Sequence, residues 1–137
     1  MNVVLVDTSV WIDFFNSSKS SPESEILRQL IVNDCSIHIC PVIYQEILQG
    51  IRDDRTFKHT RDMLLDFDML DFAWMAVTNQ AIDIYRTLRK KGITIRKSND
   101  CLIAAYAILA DVQLLHKDRD FAEIAKGYNL KLLQKNK

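Results

Sequence analysis

At 137 residues the chain has the size of one domain, and with 48% apolar and 26% charged residues it can bury an ordinary core without disulfide staples. Its 18 basic and 18 acidic side chains cancel, so bulk charge favours neither a nucleic acid nor a membrane, and any polyanion must be held by local basic patches or a bound cation. Three glycines and two prolines are too few for a disordered or low-complexity chain.

Val3–Val6 is a β-branched and leucine run that reads as a buried strand. Asp7 follows it directly, placed to cap a helix beginning at Thr8 and Ser9. Ser17–Ser21 is a polar loop. Ser21, Pro22 and Glu23 then supply an N-cap, a proline at the first helical position and an acidic first turn for a helix running to Val32. Ile37–Cys40 is the second strand, closed by Pro41, and Val42–Gln49 is a helix stopped by Gly50. Thr56–Phe67 and Thr78–Lys91 read as helices, the second stopped by Gly92, with Met69–Phe72 as a candidate strand between them. Asn99–Ala110 is an alanine-rich helix buried on most sides. Val112–Leu115 is the next strand, Asp118–Lys126 a short helix and Leu130–Leu133 the last strand.

Short strands alternating with helices predict an α/β fold: one domain over residues 1–137, with a mostly parallel sheet of about five strands covered by helices on both faces. Such sheets bind ligands at the carboxyl ends of their strands, so Asp7 and Asp118 are expected on one rim. The N-terminus lacks a basic region and carries Asp7 and Asp13 inside its apolar stretch, which argues against a signal peptide. No run approaches the ~20 apolar residues of a membrane span, so a cytoplasmic protein is expected. Cys35, Cys40 and Cys101 are odd in number, lie in apolar runs and fit no zinc spacing, and they read as small buried hydrophobes in a reducing compartment.

The chemistry lies in four carboxylates, Asp7, Glu46, Asp100 and Asp118, each beside or inside an apolar run where an uncompensated charge is costly. Gathered at ~4 Å they would repel by about 1–4 kcal/mol per pair. A hard divalent cation removes the conflict, and the lack of a Cys/His ligand pair favours Mg2+ or Mn2+ over zinc. Each acid also has a plainer role: Asp7 as a cap, Glu46 on a solvated helix face, Asp100 and Asp118 favouring helix dipoles. Asp120 competes with Asp118 as the fourth acid, while Asp13, Asp83, Asp111 and Glu123 read as surface. His116 reads as a local hydrogen-bonder. Trp11, Phe14 and Phe15 read as core, with a partner surface as the alternative. Arg86, Arg89, Lys90, Lys91, Arg96 and Lys97 form either a solvated helix face or a patch that steers a phosphate backbone.

These residues fall in VDTSVWIDFF, PVIYQEILQG, GITIRKSNDCLIAAYA and HKDRDFAEIA, four segments that in this order resemble a PIN-domain ribonuclease toxin of the VapC type. The resemblance implies a Rossmann-like sheet of five parallel strands and Mg2+- or Mn2+-dependent endoribonuclease activity leaving 5′-phosphate and 3′-hydroxyl ends. It also implies a homodimer and inhibition by a cognate VapB-type antitoxin. Asp7, Glu46 and Asp100 match the family's acidic positions, Asp118 or Asp120 the fourth, and Thr8 and Ser9 the polar pair that positions the first Asp or a bound water. Arg89, Lys90, Lys91, Arg96 and Lys97 are the candidate RNA contacts. Two other classes share some of this equipment: a phospho-receiver-like signalling module, with Asp71 as the acceptor to weigh, and a catalytically silent interaction domain.

Overall fold

Three of the four residues of β1 (Val3–Val6) are wholly buried because this strand lies in the middle of the sheet, flanked on both edges. The computed structural model describes residues 3–16 and 18–133, so Ser17, in the expected polar loop, lies outside the described residues. From the N-terminus follow α1 (Thr8–Phe15), α2 (Pro22–Val32), β2 (Ser36–Ile39), α3 (Pro41–Gln49), α4 (Asp54–Leu64) and β3 (Asp68–Met69). The second half contains α5 (Trp74–Lys90), α6 (Ser98–Ala110), β4 (Gln113–Leu115), α7 (Arg119–Gly127) and β5 (Lys131–Leu132).

All strand pairs are parallel and the order is β3-β2-β1-β4-β5. The chain builds outward from β1 to β3, then returns to the other side of β1 as β4. Right-handed crossovers then place α1–α4 on one face and α5–α7 on the other. Packing largely follows that division, with α1 against α2 and α3, α3 against α4, and α6 against α5 and α7, while α3 also meets α6 where Asn99 bonds Glu46. The reversal between β1 and β4 is the switch point where open α/β sheets take their ligands. There the Asp7 N–H donates to the Leu115 carbonyl at 2.9 Å, stitching together the two strand ends that carry Asp7 and Asp118.

The strand Val3–Val6 and the helix to Val32 form as expected, and the second has a full capping box between Ser21 and Ser24. Other boundaries move for local reasons. Asp53 caps α4 by accepting from the Thr56 N–H at 2.8 Å, which starts that helix ahead of Thr56. The expected Met69–Phe72 strand is a two-residue edge, Asp68–Met69, because its only partner β2 ends at Ile39, whose carbonyl takes the last bond from the Leu70 N–H. Gly92 adopts a left-handed φ of 81°, as a glycine stop requires. The left-handed cap of α6 is instead Asp111, and Gly50 ends α3 in a right-handed conformation. In α6, Cys101, Ile103, Ala104, Ala105, Tyr106 and Ala107 are buried, as the alanine-rich sequence predicts. Cys40 and Cys101 are buried thiols, while Cys35 is partly exposed.

Candidate active site

β1 ends at Val6, and the extended backbone of Asp7 turns its carboxylate back onto α1. Asp7 Oδ2 accepts from the Ser9 N–H (3.3 Å) and from Ser9 Oγ (2.6 Å). Both bonds use one oxygen, so capping leaves Oδ1 for other work. Asp7 is 4% exposed, and burial raises its carboxyl above the ordinary range, with the Glu46 charge adding to the effect and the Ser9 bonds opposing it.

Glu46 is half-buried on α3 rather than fully solvated. Its Oε1 accepts from Thr8 Oγ1 at 2.7 Å and its Oε2 from Asn99 Nδ2 at 3.5 Å. Thr8 and Ser9 therefore hold two different acids, Glu46 and Asp7. Asn99 was not evident as a site residue in the sequence, where it stood only as a helix-start neighbour of Asp100.

Asp100 lies in the first turn of α6, 5% exposed, and among the described residues its Oδ2 has no hydrogen-bond partner. Burial, then the charges of Asp7 and Asp118 and more weakly Glu46, push its carboxyl up to about 7, against the pull of Lys97. Asp118 caps α7, its Oδ1 accepting from the Asp120 N–H at 2.9 Å. Asp120, 6% exposed, accepts from the Arg96 N–H at 3.3 Å. One oxygen each from Asp100, Asp118 and Asp120 lies within 4.8 Å of the others, close enough to share one cation. Asp118 and Asp120 are thus not alternatives in space, because both reach the same point.

The basic cluster divides. Arg96 sits on the acids, Nη2 at 3.4 Å from Asp118 Oδ1 and Nε at 3.7 Å from Asp120 Oδ2, and Lys97 is exposed beside Asp100. Arg89, Lys90 and Lys91 end α5 away from the acids. Arg89 lies over the Tyr85 ring, and Lys91 lies against Gly127, the far end of α7, about 13 Å of helix from Asp118. Arg86 lines an apolar groove between α5 and α6.

Asp83 and Asp111 are on the surface as expected, and Glu123 is half-buried beside Lys126. Asp13 is not on the surface. It is 9% exposed and ion-paired with Lys117 from the β4–α7 loop, and that hydrogen bond holds its carboxyl below the ordinary range. His116 packs its ring edge-on to Phe121, and burial lowers its pKa, so it is a packing group rather than a cation. Trp11 is wholly buried, stacked on Phe15 with Phe14 and Phe67 around it, so Trp11 is core, whereas Phe14 and Phe15 are half-buried and Phe15 also lines a surface groove.

Fold and site together define a class, a doubly wound α/β domain whose carboxylates converge at the switch point of the sheet. The PIN-domain family profile matches residues 4–127, and the chain belongs to the PIN-domain family. Among its relatives, VapC ribonuclease Mb1587 of Mycobacterium bovis and ribonuclease VapC11 of Mycobacterium tuberculosis are each 36% identical over 128 residues, 93% of this chain and 96% of the relative. Similar solved structures include VapBC2 of Rickettsia felis bound to a fragment of promoter DNA (TM-score 0.74, 21% identity, 96% of this chain and 97% of that one). VapBC-1 of nontypeable Haemophilus influenzae is another (TM-score 0.73, 17% identity, 98% and 99%). At these identities the structures speak for the fold alone.

Proposed function

We propose that the chain is a Mg2+- or Mn2+-dependent endoribonuclease and the toxin of a toxin–antitoxin pair. The observation that carries this reading is the buried Asp100, whose Oδ2 has no hydrogen-bond partner among the described residues, set among Asp7, Glu46, Asp118 and Asp120. A buried anion among anions is a poor end state for a fold, and an all-oxygen donor set suits a hard divalent ion. The likeness to VapC ribonucleases supplies the substrate class, RNA.

Asp100, Asp118 and Asp120 would hold the ion together with Asp7, and Glu46 would reach it directly or through water. When bound, Mg2+ or Mn2+ supplies an acidified water as nucleophile and offsets charge at the scissile phosphate. Glu46 Oε2, held only at 3.5 Å by Asn99, can take a proton from the attacking water, while Thr8 fixes Oε1. The Thr8 and Ser9 hydroxyls donate to carboxylates, and burial pushes the Cys40 thiol up to about 12 and the Cys101 thiol up to about 11. No side-chain nucleophile is therefore invoked. In-line attack on phosphorus that breaks the P–O3′ bond, the departing 3′ oxygen taking a proton from solvent, would leave 5′-phosphate and 3′-hydroxyl ends. In cells expressing the protein, sequencing of RNA ends should reveal new 5′-phosphate termini that vanish with Asp7→Asn. Equal cleavage by that variant would refute the site assignment.

The similar structures include toxin–antitoxin complexes, which supports a VapB-type antitoxin as partner. A groove of about 440 Å³ lined by Ile12, Phe15, Ile47, Ile51 and Thr60 includes Glu46 in its wall. It suits an apolar antitoxin helix whose trailing Arg or Lys reaches the acids in place of metal. Ile12, 49% exposed, is its most accessible apolar residue, and Ile12→Glu should weaken antitoxin binding about tenfold or more while RNA cleavage persists. Calorimetric titration with the antitoxin checks this, and unchanged affinity would move the partner elsewhere. Exposed Trp74, Met75 and Ile82 on α5 suit the homodimer contact. No helix among the described residues is long and apolar enough to cross a membrane, which fits work on RNA in the cytoplasm.

A phospho-receiver reading is disfavoured by strand order, since receivers follow 2-1-3-4-5 whereas this sheet follows 3-2-1-4-5. Asp71 is also exposed beyond an edge strand. A catalytically silent domain would be favoured by a failure of Mg2+ and Mn2+ to bind where Asp100, Asp118 and Asp120 converge.

A further inference from the structure

Arg96 carries the only guanidinium among the described residues that is ion-paired to two carboxylates, and they are Asp118 and Asp120. Its N–H is anchored on Asp120 Oδ2 at 3.3 Å, so the residue's place is fixed. Its side chain is 62% exposed, and its ion-pair distances of 3.4 and 3.7 Å exceed the ~2.7–2.9 Å of strong charge-assisted bonds. The backbone is therefore tied and the guanidinium loosely held. Beside it opens a shallow, solvent-open depression of about 380 Å³ lined by Ser9, Arg96, Lys117, Asp118 and Arg119, in which the Lys117 amine is already paired with Asp13.

A guanidinium and a divalent cation cannot both sit on the same two carboxylates without strong like-charge repulsion. We infer that Arg96 is an exchangeable counter-ion. In the metal-free protein it holds Asp118 and Asp120, and when those carboxylates bind a divalent cation it turns into the adjoining depression to hold a phosphodiester of the RNA. Arg96 is then a positioning residue that couples the two ligands, each raising the affinity for the other. The fork geometry suits phosphate, and Arg119 extends the same cationic wall, whereas the Lys117 charge is largely met by Asp13. This inference rests on the metal-site reading proposed above.

The test is calorimetric titration of Mn2+ into the full chain without RNA, for wild type, Arg96→Gln and Arg96→Lys. A second titration uses a phosphorothioate single-stranded RNA with and without Mn2+. Arg96→Gln should bind Mn2+ about fivefold more tightly than wild type, the ratio expected for removing a loosely held, solvent-exposed competing cation. In wild type, Mn2+ should strengthen RNA binding, and in Arg96→Gln that gain should shrink. Arg96→Lys, which keeps the charge without the fork, should restore wild-type Mn2+ affinity but not the full RNA gain. Melting in EDTA controls for folding, since Arg96→Gln should melt lower than wild type there and match it in saturating Mn2+. Equal or weaker Mn2+ binding by Arg96→Gln, with wild type binding normally, overturns the inference alone. If wild type binds no Mn2+, the inference and the metal site fall together.

Discussion

Asp100→Asn should reduce Mn2+-dependent RNA cleavage by about a thousandfold or more while leaving the fold intact. Asp100 is buried, its Oδ2 has no partner among the described residues, and it feels the charges of Asp7, Asp118 and Glu46 at once. Asparagine keeps the volume and shape but withdraws the negative charge a cation needs, and its amide can donate to the acids around it. In EDTA at about pH 8 the variant should therefore melt above wild type, because there Asp100 is ionised in wild type and the substitution removes a repulsive charge. Loss of activity together with a gain in metal-free stability is the pattern of a functional charge held against the preference of the fold. Cleavage assays on single-stranded RNA with Mn2+, paired with circular-dichroism melts in EDTA, measure both. Cleavage within tenfold of wild type would remove Asp100 from the site.

The acidic rim was legible because its signals are local. A carboxylate directly after Val3–Val6, or opening an alanine-rich helix, conflicts with its neighbours in sequence, and that conflict needs no tertiary knowledge to see. The same holds for the Ser21 cap and the glycine stop at Gly92. What could not be read were pairings set by distant chain. Asp13 reads as a surface acid until Lys117, 104 residues away, arrives to bury it. Thr8 looks like support for its neighbour Asp7, yet it bonds Glu46, 38 residues on. Arg96 belongs by sequence to a basic run that includes Arg89, Lys90 and Lys91. In space the loop after α5 separates it from them and lays it on acids 22 and 24 residues later. Charge runs say what is near in sequence, whereas the topology decides which members share a site.

The metal-free protein should lose stability as pH rises through about 7, and Asp100 should be the cause. In the folded chain its carboxyl titrates near 7, against an ordinary value of 3.8 once unfolded. Between those values the folded state keeps a proton that the unfolded state has released, so each rise in pH favours unfolding. The stabilisation is fully present below the unfolded value and gone above the folded one. Asp7, also raised by burial, acts in the same direction. His116 acts oppositely, since its lowered pKa costs stability as pH falls below its ordinary 6.5. Comparing wild type with Asp100→Asn cancels His116, because both proteins contain it. Urea unfolding in EDTA should show the variant's advantage growing by roughly 2–3 kcal/mol from about pH 5 to about pH 8, most of it below pH 7. Saturating Mn2+ should reverse the ranking at the upper end, because the ion binds the ionised carboxylate that only wild type can offer. A gap between the two proteins that does not change with pH would mean that Asp100 is already ionised without metal, and that the rim carries its charges in some other way.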